Sequence, residues 1–110
     1  MDEERVRRIA INESVFRELN DQLEGLARGD ETFSCVCECG DISCVASIPI
    51  SHADYRRLRE DPTTFAIEPG HAKPDVEDVI GKQEGYEIVR KKPGLPAAVA
   101  REMEEGVREA

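Results

Sequence analysis

At 110 residues with a formal net charge of −9, the chain is one small acidic domain at most. Only 5% of its residues are aromatic, 35% are charged and none is tryptophan, so its core is small and an added staple such as a metal is expected. An acidic surface repels phosphate backbones and anionic lipid, which disfavours nucleic acid and membrane surfaces as partners.

Residues 3 to 28 read as a helix, free of Gly and Pro until Gly25 and rich in Arg, Glu, Leu and Ala. Ile9, Asn12, Phe16, Leu19, Leu23 and Leu26 follow at steps of 3, 4, 3, 4 and 3, which predicts one buried stripe with Asn12 as its polar member. That stripe would cover its own domain or a second helix, and Gly29 would cap the end. The period then changes to two. The stretches "TFSCVC" (32–37) and "CVASIPI" (44–50) predict short strands around the turn "ECGDIS". Ser51 is a good N-cap for a short helix carrying Tyr55 and Leu58 on one face, stopped by Pro62. "TFAIEPGH" (64–71) is a strand entering a Pro-Gly turn, and "VEDVIGKQ" with "YEIVRKK" forms a hairpin about Glu84-Gly85, weakened at Gly81. "PGLP" (93–96) closes this unit, and the Ala/Glu-rich remainder is a frayed or partner-dependent helix. The expected fold is therefore α+β: an N-terminal helix (1–30), a small antiparallel β-sheet domain with one short helix stapled by zinc (31–92), and a flexible or partly helical tail (93–110).

All four cysteines fall within "CVCECGDISC", residues 35 to 44. The N-terminus leads into no apolar signal segment and no apolar run approaches the roughly 20 residues needed to span a bilayer, so a cytoplasmic chain with reduced thiols is expected. Neighbouring Cys-x-Cys pairs are also badly placed for disulfides. For metal binding the spacing is favourable. Residues two apart on an extended strand share a side, with Cα atoms about 6.7 Å apart, and their sulfurs can converge on the roughly 3.8 Å edge of a tetrahedral zinc site. Cys35 and Cys39, about 13 Å apart on a straight strand, cannot share one ion. A turn at Gly40-Asp41 returns Cys44 toward Cys37 and Cys39, which makes those three the best set. The fourth ligand is open among His71, which ranks first, Cys35, His52 and a carboxylate. Soft thiolates favour zinc over magnesium or calcium, and the two-residue gaps usual for iron–sulfur ligation are missing.

These stretches, "FSCVCECGDISC", "YRRLREDPTTFAIEPGH" and "VEDVIGKQEGYEIVRKK", together resemble a family of short, functionally uncharacterised bacterial proteins of high-GC Gram-positive type. The shared pattern is F-x-x-x-C-x-C-x4-C, R-x-D-P-x-x-F, P-G-H and Y-x-V-V-x-K, preceded by a helix with N-E-x-x-F-R-x-x-N that "NESVFRELN" (12–20) matches. Ile88 replaces the first valine of the closing strand. The resemblance covers residues 5 to about 92 and implies Cys37, Cys39, Cys44 and His71 as the metal set, with Cys35 as an extra. It implies no activity.

With the zinc shell closed and no H-E-x-x-H, the expected function is non-catalytic: a structural-zinc module that binds a protein partner through the N-terminal helix or an exposed strand edge, with a homodimer as one form of that docking. The alternative is a thiol-based redox or zinc-release sensor in which Cys35 serves as the resolving thiol.

Overall fold

A computed structural model describes residues 3–26 and 32–109, with side chains through Glu104. The predicted Gly29 cap lies outside the described residues. The architecture is α+β, as expected: α1 (Glu3–Leu26), β1 (Thr32–Val36), β2 (Ser47–Ser51), α2 (His52–Leu58), β3 (Thr64–Ile67), β4 (Glu77–Gln83), β5 (Tyr86–Lys91) and α3 (Leu95–Glu109). The strands form two antiparallel sheets, β1-β2 and β3-β5-β4. Cys35 pairs with Ile48 in the first, and Phe65 with Val89 in the second. Gly81, the weak point of the hairpin's first arm, adjoins a register shift between Val79 and Gly81. Among the described residues no helix is long and apolar enough to cross a membrane.

Local chemistry accounts for the shorter elements. Ser51 Oγ accepts from Asp54 N at 3.1 Å and starts α2, whose Tyr55 and Leu58 are buried beside Ile48 and Ile50. Asp61 then holds the turn into β3 by accepting from the Thr63 N–H and hydroxyl. The Ala/Glu-rich C-terminal segment is α3, whose Val99 joins Val6, Ala10 and Val76 in an apolar cluster against α1.

Helix α1 corrects the expected stripe. Its buried residues are Val6, Ile9, Ala10, Glu13, Arg17 and Asn20, whereas Leu19 and Leu26 face solvent. The inward face is half polar because it meets backbone ends and charges as well as side chains. Asn20 accepts from Val36 N at 2.8 Å and donates to Val36 O at 2.9 Å, serving the backbone where β1 stops. Arg17 donates to the carbonyls of Pro62 and Thr64 while its guanidinium lies 4.1 Å over the Phe65 ring. Glu13 lies 2.7 Å from Lys91 Nζ, which also reaches Glu77 at 2.8 Å. At the rim Tyr55 of α2 and Arg59, which caps that helix, hold Asp21, and Arg59 also pairs with Glu104 of α3.

The buried acid–base–acid group makes stability depend on pH. Oε1 of Glu13 is buried with no donor, and burial pushes this carboxyl up from 4.5 to about 7, opposed by Lys91. The folded state therefore binds the proton more tightly than the unfolded state. Between about pH 4.5 and 7 this group's contribution falls as pH rises, by about 3 kcal/mol in all. Glu13→Gln leaves the Lys91–Glu77 pair intact. Chemical denaturation of both chains should give a difference curve in which the variant gains relative to wild type from pH 5 to 7 and levels off above. A flat difference curve would place the Glu13 proton elsewhere.

Candidate metal centre

Two turns bring the donors together, and the sequence specifies both. Gly40 takes φ +80, and a Cβ there would stand 2.7 Å from Ile9 Cγ2, so only glycine brings this backbone onto α1. Asn12 Nδ2 donates to Gly40 O at 2.9 Å and fixes the approach. The chain then reverses: the Ser43 N–H and hydroxyl both bond Asp41 Oδ1, and Cys44 N donates to Asp41 O at 2.9 Å. Asp41 thus shapes the turn that returns Cys44. The second turn is Glu68-Pro69-Gly70-His71, closed by His71 N to Glu68 O at 3.0 Å, with Gly70 at φ +90 as a type II turn requires. It sets the imidazole directly beyond β3.

Cys37, Cys39, Cys44 and His71 lie close enough to bind a metal ion: their donor atoms are all within 4.8 Å of one another. His71 Nδ1 is 3.6 Å from Cys37 Sγ and 3.6 Å from Cys44 Sγ. A tetrahedron with metal–sulfur bonds of about 2.3 Å and a metal–nitrogen bond of about 2.0 Å has S···N edges of about 3.5 Å, so these two edges already have the length an ion would impose. Cys37 and Cys39 are buried, and Cys44 and His71 are partly exposed.

The surroundings orient each donor. Glu68 Oε2 lies 3.1 Å from His71 Nε2, which turns Nδ1 toward the sulfurs and places the ring proton on Nε2. The Glu68 N–H points at Cys37 Sγ at 3.2 Å, and Lys73 Nζ donates to Cys39 O. Burial pushes the Cys37 thiol well above its ordinary range, opposed by that N–H and reinforced by Cys39 and Cys44. Cys39 is also raised by burial, against the Asp41 N–H and Lys73. Thiols crowded in a poorly solvated place ionise at high cost without a cation among them, and a divalent ion removes that cost.

The other candidate ligands have separate roles. Cys35 is fully buried among Ile48, Tyr55 and Tyr86, where burial raises its thiol strongly. It is a small core residue, and such a thiol is a poor choice for the resolving role in the redox alternative. His52 pairs with Glu24 at 3.2 Å. Glu68 and Lys73 did not stand out in the sequence, although Glu68 sits at i,i+3 to His71 across a Pro-Gly turn and could have been found from that spacing.

Replacing Glu68 with Ala should lower metal affinity about 10- to 100-fold, as loss of a carboxylate behind a metal-binding histidine does. Titration with Co2+ as a coloured probe, against a competing chelator, measures it. Unchanged affinity would mean that the ring is held by the turn alone.

No protein-family model matches the chain, and neither a curated protein nor a solved structure matches it. The chemistry of the site is read from its own four donors.

Proposed function

We propose that this chain is a structural-zinc protein of a reducing, cytoplasmic compartment, non-catalytic, whose metal holds a small scaffold that docks other protein surfaces. The observation that carries the zinc reading is the pair of 3.6 Å sulfur–nitrogen separations about His71 Nδ1. Three thiolates and one imidazole suit zinc, and four protein donors fill its shell and leave no position for an attacking water. The same four residues are the set that the family resemblance implies. The surface favours protein over nucleic acid as the partner, because a net charge of −9 repels phosphate. Helix α1 is the docking element, as it carries large apolar residues to solvent.

Native mass spectrometry should find one zinc per chain. Cys39→Ser and His71→Ala should lose the metal and much of the fold, because binding free energy is folding free energy in a site of this size. Cys35→Ser should keep it. Loss of zinc in Cys35→Ser with retention in His71→Ala would overturn the ligand set.

A second reading, a zinc-release sensor, has one observation in its favour: Cys44 and His71 leave an edge of the cluster open to solvent. For the structural role the expected result is inert metal under mild peroxide, followed with a zinc-sensitive dye. Stoichiometric zinc release that thiol reverses would move the assignment to the sensor.

A further inference from the structure

The three sulfurs of the metal centre are not equivalent. Cys37 and Cys39 are each 2% exposed, whereas Cys44 reaches the solvent edge of the cluster. Cys37 Sγ takes the Glu68 N–H at 3.2 Å, and Cys39 is served by the Asp41 N–H and the field of Lys73. Among the described residues, Cys44 Sγ has polar contacts only with its fellow donors, His71 Nδ1 at 3.6 Å and Cys39. With the ring proton on His71 Nε2, Nδ1 has no hydrogen to give it.

An N–H aimed at a thiolate stabilises the negative sulfur and draws on the electron pair that would attack an electrophile. A buried sulfur is shielded a second time, by the atoms that cover it. Both protections fall on Cys37 and Cys39, and neither falls on Cys44. Metal binding keeps a coordinated sulfur in the thiolate form, which is the nucleophilic form of cysteine. The loaded centre thus has one sulfur that is ionised, exposed and undamped.

The surroundings limit what can approach it. Ile42 is 71% exposed and Val45 91%, and both flank Cys44 in the turn that carries it. Three thiolates outnumber the two charges of a divalent ion. Asp41, Glu68 and, through Gly70 N, Glu87 add negative charge about the two turns, against the single ammonium of Lys73. An anionic reagent is repelled at this edge, while a neutral one with apolar substituents meets apolar side chains.

We propose that Cys44 is a modification site, the thiolate at which the metal centre takes one equivalent of a small, neutral α,β-unsaturated carbonyl compound. This rests on the zinc reading and names the reagent class that the site admits. Cys44 Sγ forms a bond to the β-carbon, and the alkene π pair moves through the α-carbon onto the carbonyl oxygen. Water then gives a proton to the α-carbon, and hydroxide replaces the charge of the thiolate. No group leaves and no oxidant takes part, which separates the step from zinc release under peroxide.

The test uses N-ethylmaleimide, at less than one equivalent, on the zinc-loaded full chain, with zinc measured before addition. Intact mass and peptide mapping should place the first adduct on Cys44 and find Cys35, Cys37 and Cys39 spared. Stripping the metal beforehand with a chelator should spread adducts onto Cys37 and Cys39. Maleimidopropionate carries the same double bond and a carboxylate. Relative to mercaptoethanol as a reference thiol, it should react at least about threefold more slowly than N-ethylmaleimide, the effect of one excess charge at about 6 Å in water. A zinc-loaded chain that takes no adduct, or takes its first on Cys37 or Cys39, overturns the inference and leaves the metal reading standing. Equal relative rates for the two maleimides overturn the neutral class of reagent. A pattern unchanged by stripping overturns the part assigned to the metal. A chain found to hold no zinc removes the metal reading and this inference with it.

Discussion

Between the end of β1 at Val36 and the turn at Asp41 the chain leaves sheet pairing while still buried, and its polar groups need partners from elsewhere. Glu38, fully buried, supplies most of the answer. Its N–H donates to Ala66 O at 2.9 Å, its Oε1 accepts from Ala66 N at 3.0 Å and its Oε2 accepts from Asn20 at 2.8 Å. One residue thus closes the open edge of β3 and ties it to α1. One step further along that edge, Cys37 Sγ takes the Glu68 N–H as a strand partner's carbonyl would. The two sheets, α1 and two of the four metal donors are therefore held by five residues, 36 to 40. Burial raises Glu38 above the usual carboxylate range, with Arg17 and Asn20 opposing. A carboxylate in this position is tolerated because each oxygen has a donor.

Local chemistry was legible in the sequence wherever it determined the outcome. Ser51, Pro62, Gly85 and the Pro69-Gly70 turn each have a conformational requirement that few residues meet, and the elements begin and end near them. Cys37, Cys39 and Cys44 were readable as a group because strand spacing and one turn limit which sulfurs can converge. The face of α1 was not readable by the same means. A search for apolar periodicity finds Ile9, Leu19 and Leu26, but the side that packs is chosen by Asn12, Arg17 and Asn20, which satisfy backbone far away in the chain. Polar side chains chosen by tertiary partners leave no periodic signal. Glu38 was invisible for the same reason, a charged residue between two cysteines whose partners lie 18 and 28 residues away.

The charged interior bears on specificity as well as stability. Replacing a buried ion pair with apolar groups is often neutral or stabilising, so Glu13, Lys91 and Glu77 are weak evidence of strength. Their geometry does restrict register: Lys91 meets both carboxylates only when α1, β4 and β5 are aligned as they are. A sliding α1 would leave Lys91 with one partner and displace Ile9 from the gap over Gly40, where no side chain fits. The metal loop is thereby set against one position along the helix.

The four donors are unevenly spread along the chain. Three lie within residues 37–44, and His71 follows Cys44 after 27 residues. A metal ion that meets an unfolded chain can gather the three thiolates by closing only short loops, and recruiting the distant imidazole adds a modest entropic cost, since closure grows with the logarithm of length. The order of assembly is built into that spacing. With a metal bound, the thiolate loop would be the first part gathered, and His71, at the end of β3, would be the last donor to join. During synthesis the first three donors emerge well before the fourth, so a metal taken up at that stage would keep one coordination position open to its surroundings.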